Sequence, residues 1–199
     1  MLHQGTNNVL VQTIGLNGKE VARATMVIWY DDTTVQTVSG AIAADTTWTA
    51  ASGPYQITGN LTVNSGATLT ILPGTTVYLN SGVTVTVANG GRLLAEGTAT
   101  DPILFTRPAS SSTSWSGMTI NGGAGSPETR IVYARFEFNA STAIHSSGGT
   151  VFLNHLSFGN PAVQYVSLDS SSFVVSECVF PSLTAAVEPV HGKIGRAHV

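Results

Sequence analysis

The sequence predicts an all-β fold, a right-handed parallel β-helix (a solenoid of stacked coils) preceded by a β-hairpin. Three observations predict it. Charged residues make up only 10% of the chain against 42% apolar ones, well under the roughly 25% charged content of ordinary globular proteins. Short alternating stretches, broken by small or turn-forming pairs, recur along the chain. Those stretches align on one another at spacings of 20 to 24 residues. A coil of that size cannot bury its apolar face alone, whereas stacked coils share one continuous core.

Taken in order, residues 1–32 read as the tail of a truncated β-sandwich-like module. Val9 to Ile14 and Val21 to Tyr30 are β-rich, and Leu16-Asn17-Gly18 between them is a turn signal. A lone two-stranded hairpin is marginal in water, so these strands either dock on the downstream coils or close a sandwich. Residues 33–52 read as a linker and N-terminal cap, with Trp48 plugging the start of the next core. The β-helix is expected over residues 53–193.

Inside it, Leu61, Val63, Leu69 and Ile71 fall on Val85, Val87, Leu93 and Ala95 at a spacing of 24. Ser65-Gly66 and Asn89-Gly90 mark the same corner in both coils. Further on, Val132, Ala134, Phe136 and Phe138 align with Phe152, Asn154, Leu156 and Phe158 at 20 residues. These align in turn with Val174, Ser176, Cys178 and Phe180 at 22. Successive side chains of a strand face opposite sides, so the aligned positions are expected to stack as interior rows. Phe138, Phe158 and Phe180 would form an aromatic stack, and Phe136, Leu156 and Cys178 one row. In-register recurrence argues against a sandwich, and the varying spacing against a left-handed hexapeptide solenoid. Pro108 to Ser114 and Gly122 to Pro127 read as loops ejected from coils, where function concentrates.

The run Gly53-Pro54-Tyr55-Gln56-Ile57-Thr58-Gly59-Asn60-Leu61-Thr62-Val63 resembles the first coils of bacterial secreted β-helix proteins. So does Ala67-Thr68-Leu69-Thr70-Ile71-Leu72-Pro73-Gly74-Thr75-Thr76-Val77. Gly91 to Thr106 looks like the next coil in that group, and Trp115 to Ile120 is similar to its next strand. Such repeats are similar to those of pectate-lyase-like proteins, and the likeness covers about residues 45 to 193. The resemblance implies an extracellular or cell-surface location within a large exported protein. Its partners would be a polysaccharide or cell-surface glycan and the other domains of that protein. Residues 8–32 resemble the tail of an immunoglobulin-like module. Fold alone does not carry activity.

Both ends bear on the extent of the chain. Met1-Leu2-His3-Gln4 has neither the basic nor the apolar region of a signal peptide. Ile194-Gly195-Arg196-Ala197-His198-Val199 matches the translation of a common sequencing adapter. Residues 194–199 are therefore expected to be a non-native tail on a gene fragment from environmental DNA.

Several function classes are disfavoured. The net charge is −3, with eight scattered Lys and Arg, unlike the basic stripe that nucleic-acid backbones require. No apolar run approaches the roughly 20 residues of a membrane span. The single Cys178 excludes a disulfide framework within the chain, and in an interior row it is expected to be inert packing. No G-x-S-x-G elbow occurs.

One outward column stands out. With Phe136, Leu156 and Cys178 pointing in, their neighbours Arg135, His155 and Glu177 would point out on successive coils about 5 Å apart. Such a column suits a sugar carboxylate or acid–base chemistry, and equally an exposed charge ladder. By the same logic His145, Gln164 and Glu188 form a second, ligand-binding column. No carboxylate pair occurs in the repeats, and Asp31-Asp32 lies in the linker. No cofactor or metal is expected, and Ca²⁺ enters only if the protein is a lyase. The leading expectation is a non-catalytic module, structural or weakly glycan-binding. The alternative is a polysaccharide lyase or glycoside hydrolase whose catalytic coils are missing. An ice-binding face through Thr62, Thr68, Thr70, Thr84 and Thr86 ranks below both, because Asn64, Arg92 and Leu94 interrupt it.

Overall fold

The computed structural model describes residues 5–30, 34–159, 164–181 and 190–193. Strands β1 (Gly5–Ile14) and β2 (Glu20–Tyr30) pair antiparallel, with Val9 opposite Met26 and Val11 opposite Ala24. Among the described residues no third strand joins them. Near the turn Glu20 accepts hydrogen bonds from Gln12 and Arg23, both at 2.5 Å. The guanidinium of Arg23 holds the Glu20 carboxyl below the usual carboxylate range.

All other strand pairs are parallel. The first coil is β3 (Gln36–Ile42) and β4 (Thr46–Trp48), which lie within the stretch read as linker and cap. The second is β5 (Tyr55–Val63) and β6 (Thr68–Ile71). Three coils of three strands come next. They are β7 (Thr76–Leu79), β8 (Thr84–Val87) and β9 (Arg92–Glu96); β10 (Ile103–Thr106), β11 (Gly117–Asn121) and β12 (Thr129–Val132); and β13 (Ala134–Phe136), β14 (Ile144–Ser147) and β15 (Thr150–Asn154). Strands β16 (Ser157–Phe158), β17 (Val166–Asp169), β18 (Ser172–Ser176) and β19 (Val190–Lys193) complete the stack. One six-stranded sheet runs β18-β15-β12-β9-β6-β4. In the other, β5 is long enough to pair with β7 through its first half and β8 through its second, so two arms of stacked strands leave it. The architecture is a parallel β-solenoid.

The first register is observed as expected. Leu61 pairs with Val85 and Val63 with Val87, while Leu69 pairs with Leu93 and Ile71 with Ala95. Trp48 is buried and stacks on Tyr55 at 4.5 Å between ring centroids, closing the first coils. From β9 to β12 the spacing widens to 36 residues, Leu94 pairing with Arg130. The segments Pro108 to Ser114 and Gly122 to Pro127 lie outside the strands and take up that extra length.

The second register needs correction. Phe136 pairs with Phe158, and Val132 with Asn154, a spacing of 22 and not 20. Phe136 therefore leaves the row of Leu156 and Cys178 and joins Phe105, Phe158 and Phe180. These rings stack in succession at centroid distances of 4.9, 5.5 and 5.2 Å. Phe138 is outside the stack, 36% exposed, with the Arg107 guanidinium 4.1 Å above its ring.

The physical cause is a one-residue corner. Tyr133, His155 and Glu177 have φ of 46°, 53° and 54°. Each left-handed residue turns the chain between sheets and shifts the in–out alternation by one. Before the corner, Ile131, Val151 and Leu153 point inward, with Phe173 and Val175 packed against the same core; after it, Ala134, Phe136, Leu156 and Phe158 do. An alternation carried straight through the corner puts Phe152 and Asn154 inside. Phe152 instead lies under the Arg130 guanidinium, which also bonds Glu96 at 2.8 Å and Glu128 at 2.9 Å. Asn154 bonds Ser176 on the next coil through its Nδ2 at 2.8 Å.

Candidate functional site

Two stacked corners, at Tyr133 and His155, line a cleft. The 22-residue spacing places Tyr133, His155 and Glu177 in a single outward column. The Tyr133 and His155 rings stack at 4.2 Å between centroids. His155 pairs with Glu177 through Nε2, and its Nδ1 lies 2.5 Å from Asn154 Oδ1. A left-handed conformation costs a non-glycine residue about 1–3 kcal/mol, and such positions cluster at functional sites.

Arg135 does not belong to this column, contrary to the expected Arg135–His155–Glu177 alignment. It comes two residues after the corner and lies between Leu104 and Ser157 on neighbouring strands. Its guanidinium turns to Glu137 at 2.7 Å, and Glu137 also accepts from Thr106 at 3.1 Å. Two of the three expected residues, Arg135 and His155, nonetheless line the same cleft, of about 460 Å³. Leu104, Ala134 and Ser157 also line it, as do Thr98, Ala99 and Pro102.

The opposite wall comes from the hairpin. Trp29, near the end of β2, lines the cleft and donates its indole N–H to Thr76 Oγ1 at 2.7 Å. Thr76 opens β7 and pairs with Leu104. The indole hydrogen bond links the hairpin to the solenoid.

Sequence reasoning missed Trp29, Tyr133 and Glu137. Aligning Phe136 with Phe158 would have placed Tyr133 over His155, because both precede the shared Phe by three residues. Nothing in the sequence signals what Trp29 touches.

The second expected column also separates. His145 lies in the outward row Thr62, Thr86, Thr119, His145, Ser167 and His191. Its Nε2 is 3.9 Å from Asp169 Oδ2. Gln164 is not in that row and instead accepts from Thr142 at 3.1 Å, one turn below. Glu188 lies outside the described residues. The five threonines divide between sheets: Thr62, Thr84 and Thr86 are on one, while Thr68 and Thr70 are on the other, where Arg92 and Leu94 sit beside them on the next strand. Among the described residues no three His, Cys, Asp or Glu side chains group. No helix among them is long and apolar enough to cross a membrane.

Cys178 is half-buried, packs against the core and donates to Ser176 O at 3.4 Å. Burial pushes its thiol up from the ordinary value. Less thiolate then forms near pH 8, and only the thiolate is a nucleophile. Iodoacetamide at pH 8 is expected to label the folded chain several-fold more slowly than the urea-unfolded chain. Equal rates would contradict the burial.

No curated protein and no solved structure matches the chain. Residues 40–153, more than half of it, match the family described as the pectate-lyase-like β-helix domain.

Proposed function

Since the chain belongs to the pectate-lyase-like β-helix domain family, we propose that it serves as a non-catalytic, glycan-binding β-helix module of an exported protein. The observation that carries this reading is the cleft between Trp29 and the Tyr133–His155 stack. Small-ligand sites span about 300–1,000 Å³ and combine apolar or aromatic walls with a few convergent polar groups. At about 460 Å³ this cleft lies in that range, with Ser157 and the Arg135–Glu137 pair as its polar groups. The rigid solenoid fixes one wall, and the indole hydrogen bond to Thr76 orients the other.

A non-catalytic role is favoured by the state of the charged groups. Arg135 is engaged by Glu137 and His155 by Glu177, so each already has a carboxylate beside it. Lyase chemistry needs preorganised positive charge where a carbanion or oxyanion develops.

Calorimetric titration of the chain with neutral and acidic oligosaccharides is expected to find ligands in the micromolar to millimolar range. Trp29→Ala should weaken them about tenfold, the worth of one aromatic face, ~1.4 kcal/mol. Unchanged affinity in that variant would move the site elsewhere. Parallel assays for reducing ends and unsaturated products are expected to show no turnover. Turnover abolished by His155→Ala would make the protein a polysaccharide lyase or glycoside hydrolase instead.

A further inference from the structure

We infer that the cleft selects neutral saccharides and rejects uronates, an inference that rests on the glycan-binding reading above. A sugar carboxylate is held most strongly by an Arg or Lys with no counter-charge beside it, commonly through two parallel N–H···O bonds. The guanidinium lining this cleft belongs to Arg135, and its charge is countered by Glu137, whose Oε1 lies 2.7 Å from Nη2. Glu137 is the more buried partner, with side-chain exposure of 20% against 52% for Arg135, and Thr106 anchors it from the strand below. A uronate reaching the remaining donors of Arg135 would lie beside the Glu137 carboxylate, which is held on the same strand face, and meet its repulsion.

The imidazole in the lining is paired in the same way. His155 meets Glu177 through Nε2 and Asn154 through Nδ1. An acidic chain entering the cleft would therefore approach the Glu137 carboxylate in its lining and, beside His155, that of Glu177, with no unpaired cation among the described lining residues in compensation. Like-charge juxtaposition of this kind is a common source of rejection at binding sites.

A neutral pyranose meets none of these penalties. Its C–H face packs on Trp29 or Tyr133, as apolar surface does on aromatic rings. Its hydroxyls can donate to Glu137 and accept from Arg135, because an ion pair retains acceptor and donor capacity at its edges. Ser157 adds a hydroxyl beside them.

The test is isothermal titration of the whole chain with cellohexaose, xylohexaose and galactohexaose against hexagalacturonate and hexaguluronate, without divalent ions. At least one neutral hexasaccharide is expected to bind ten or more times tighter than either acidic one. Its affinity should change less than twofold between 50 and 500 mM NaCl. Glu137→Gln releases Arg135 and is expected to raise hexagalacturonate affinity at least fivefold, with a salt dependence the parent chain lacks. Acidic hexasaccharides binding as tightly as neutral ones would overturn this inference and leave the glycan-binding reading standing. So would Glu137→Gln without a gain for hexagalacturonate. Binding of no saccharide would overturn both.

Discussion

Phe136→Ala is expected to lower stability by about 3–5 kcal/mol, the range for emptying a fully buried aromatic site. Phe136 is the middle ring of the core stack, between Phe105 and Phe158, with Trp115 at 6.3 Å from its side. Removing it opens a void that three coils share. Strands fixed by backbone ladders above and below cannot collapse into that void, so the cost should fall high in the range. At an m-value of about 2–3 kcal/mol/M the urea midpoint moves down by roughly 1–2 M. Phe138→Ala is the matched control. That ring is at the surface beneath Arg107, and its loss should cost about 1 kcal/mol. Equal costs for the two would return Phe138 to the interior and undo the 22-residue register.

Gly117→Ala should be comparably damaging, by addition. Gly117 opens β11 at φ 123°, and a Cβ there would lie 2.2 Å from the Thr142 carbonyl oxygen of the next coil. Left-handed strain costs about 1–3 kcal/mol, and forcing a stacked strand away costs a further 1–3 or so. The total, about 2–6 kcal/mol, would appear as a lower melting temperature and as faster amide exchange in β11 and β14. Gly82→Ala separates the two contributions. Its φ is 70° with open space around the added carbon, so it bears strain alone, about 1–2 kcal/mol. A Gly117→Ala variant no less stable than Gly82→Ala would mean that the coils do not approach so closely there.

The cleft and the core depend on the same corners. Tyr133, His155 and Glu177 each use a left-handed residue to pass from one sheet to the next. That turn brings the aromatic row inward at Phe136 and Phe158 and sends the corner side chains outward into one column. An insertion of one residue at any of these corners would reverse the facing of the strand after it, because alternation has a period of two.

The sequence by itself determined the solenoid. Its evidence is repetition, and stacked parallel coils are the arrangement in which an in-register row such as Leu61 on Val85 or Leu69 on Leu93 buries every apolar face while satisfying every strand. It also determined the hairpin, through alternating strands about a turn signal, and the outward facing of Arg135, His155 and Glu177. Which outward residues meet depends on how the coils turn and pack. A one-residue corner looks like any other strand residue in a sequence, so the phase shift at Tyr133 and the move from 20 to 22 residues were invisible. The same shift separated Arg135 from His155 and united Tyr133 with it. Trp29 was beyond reach for a different reason: its contact with Thr76 spans 47 residues and two unlike units, and no periodicity links a hairpin to the flank of a solenoid. Local pattern sets which face of a strand is buried, whereas a site closed by two units depends on where packing brings them.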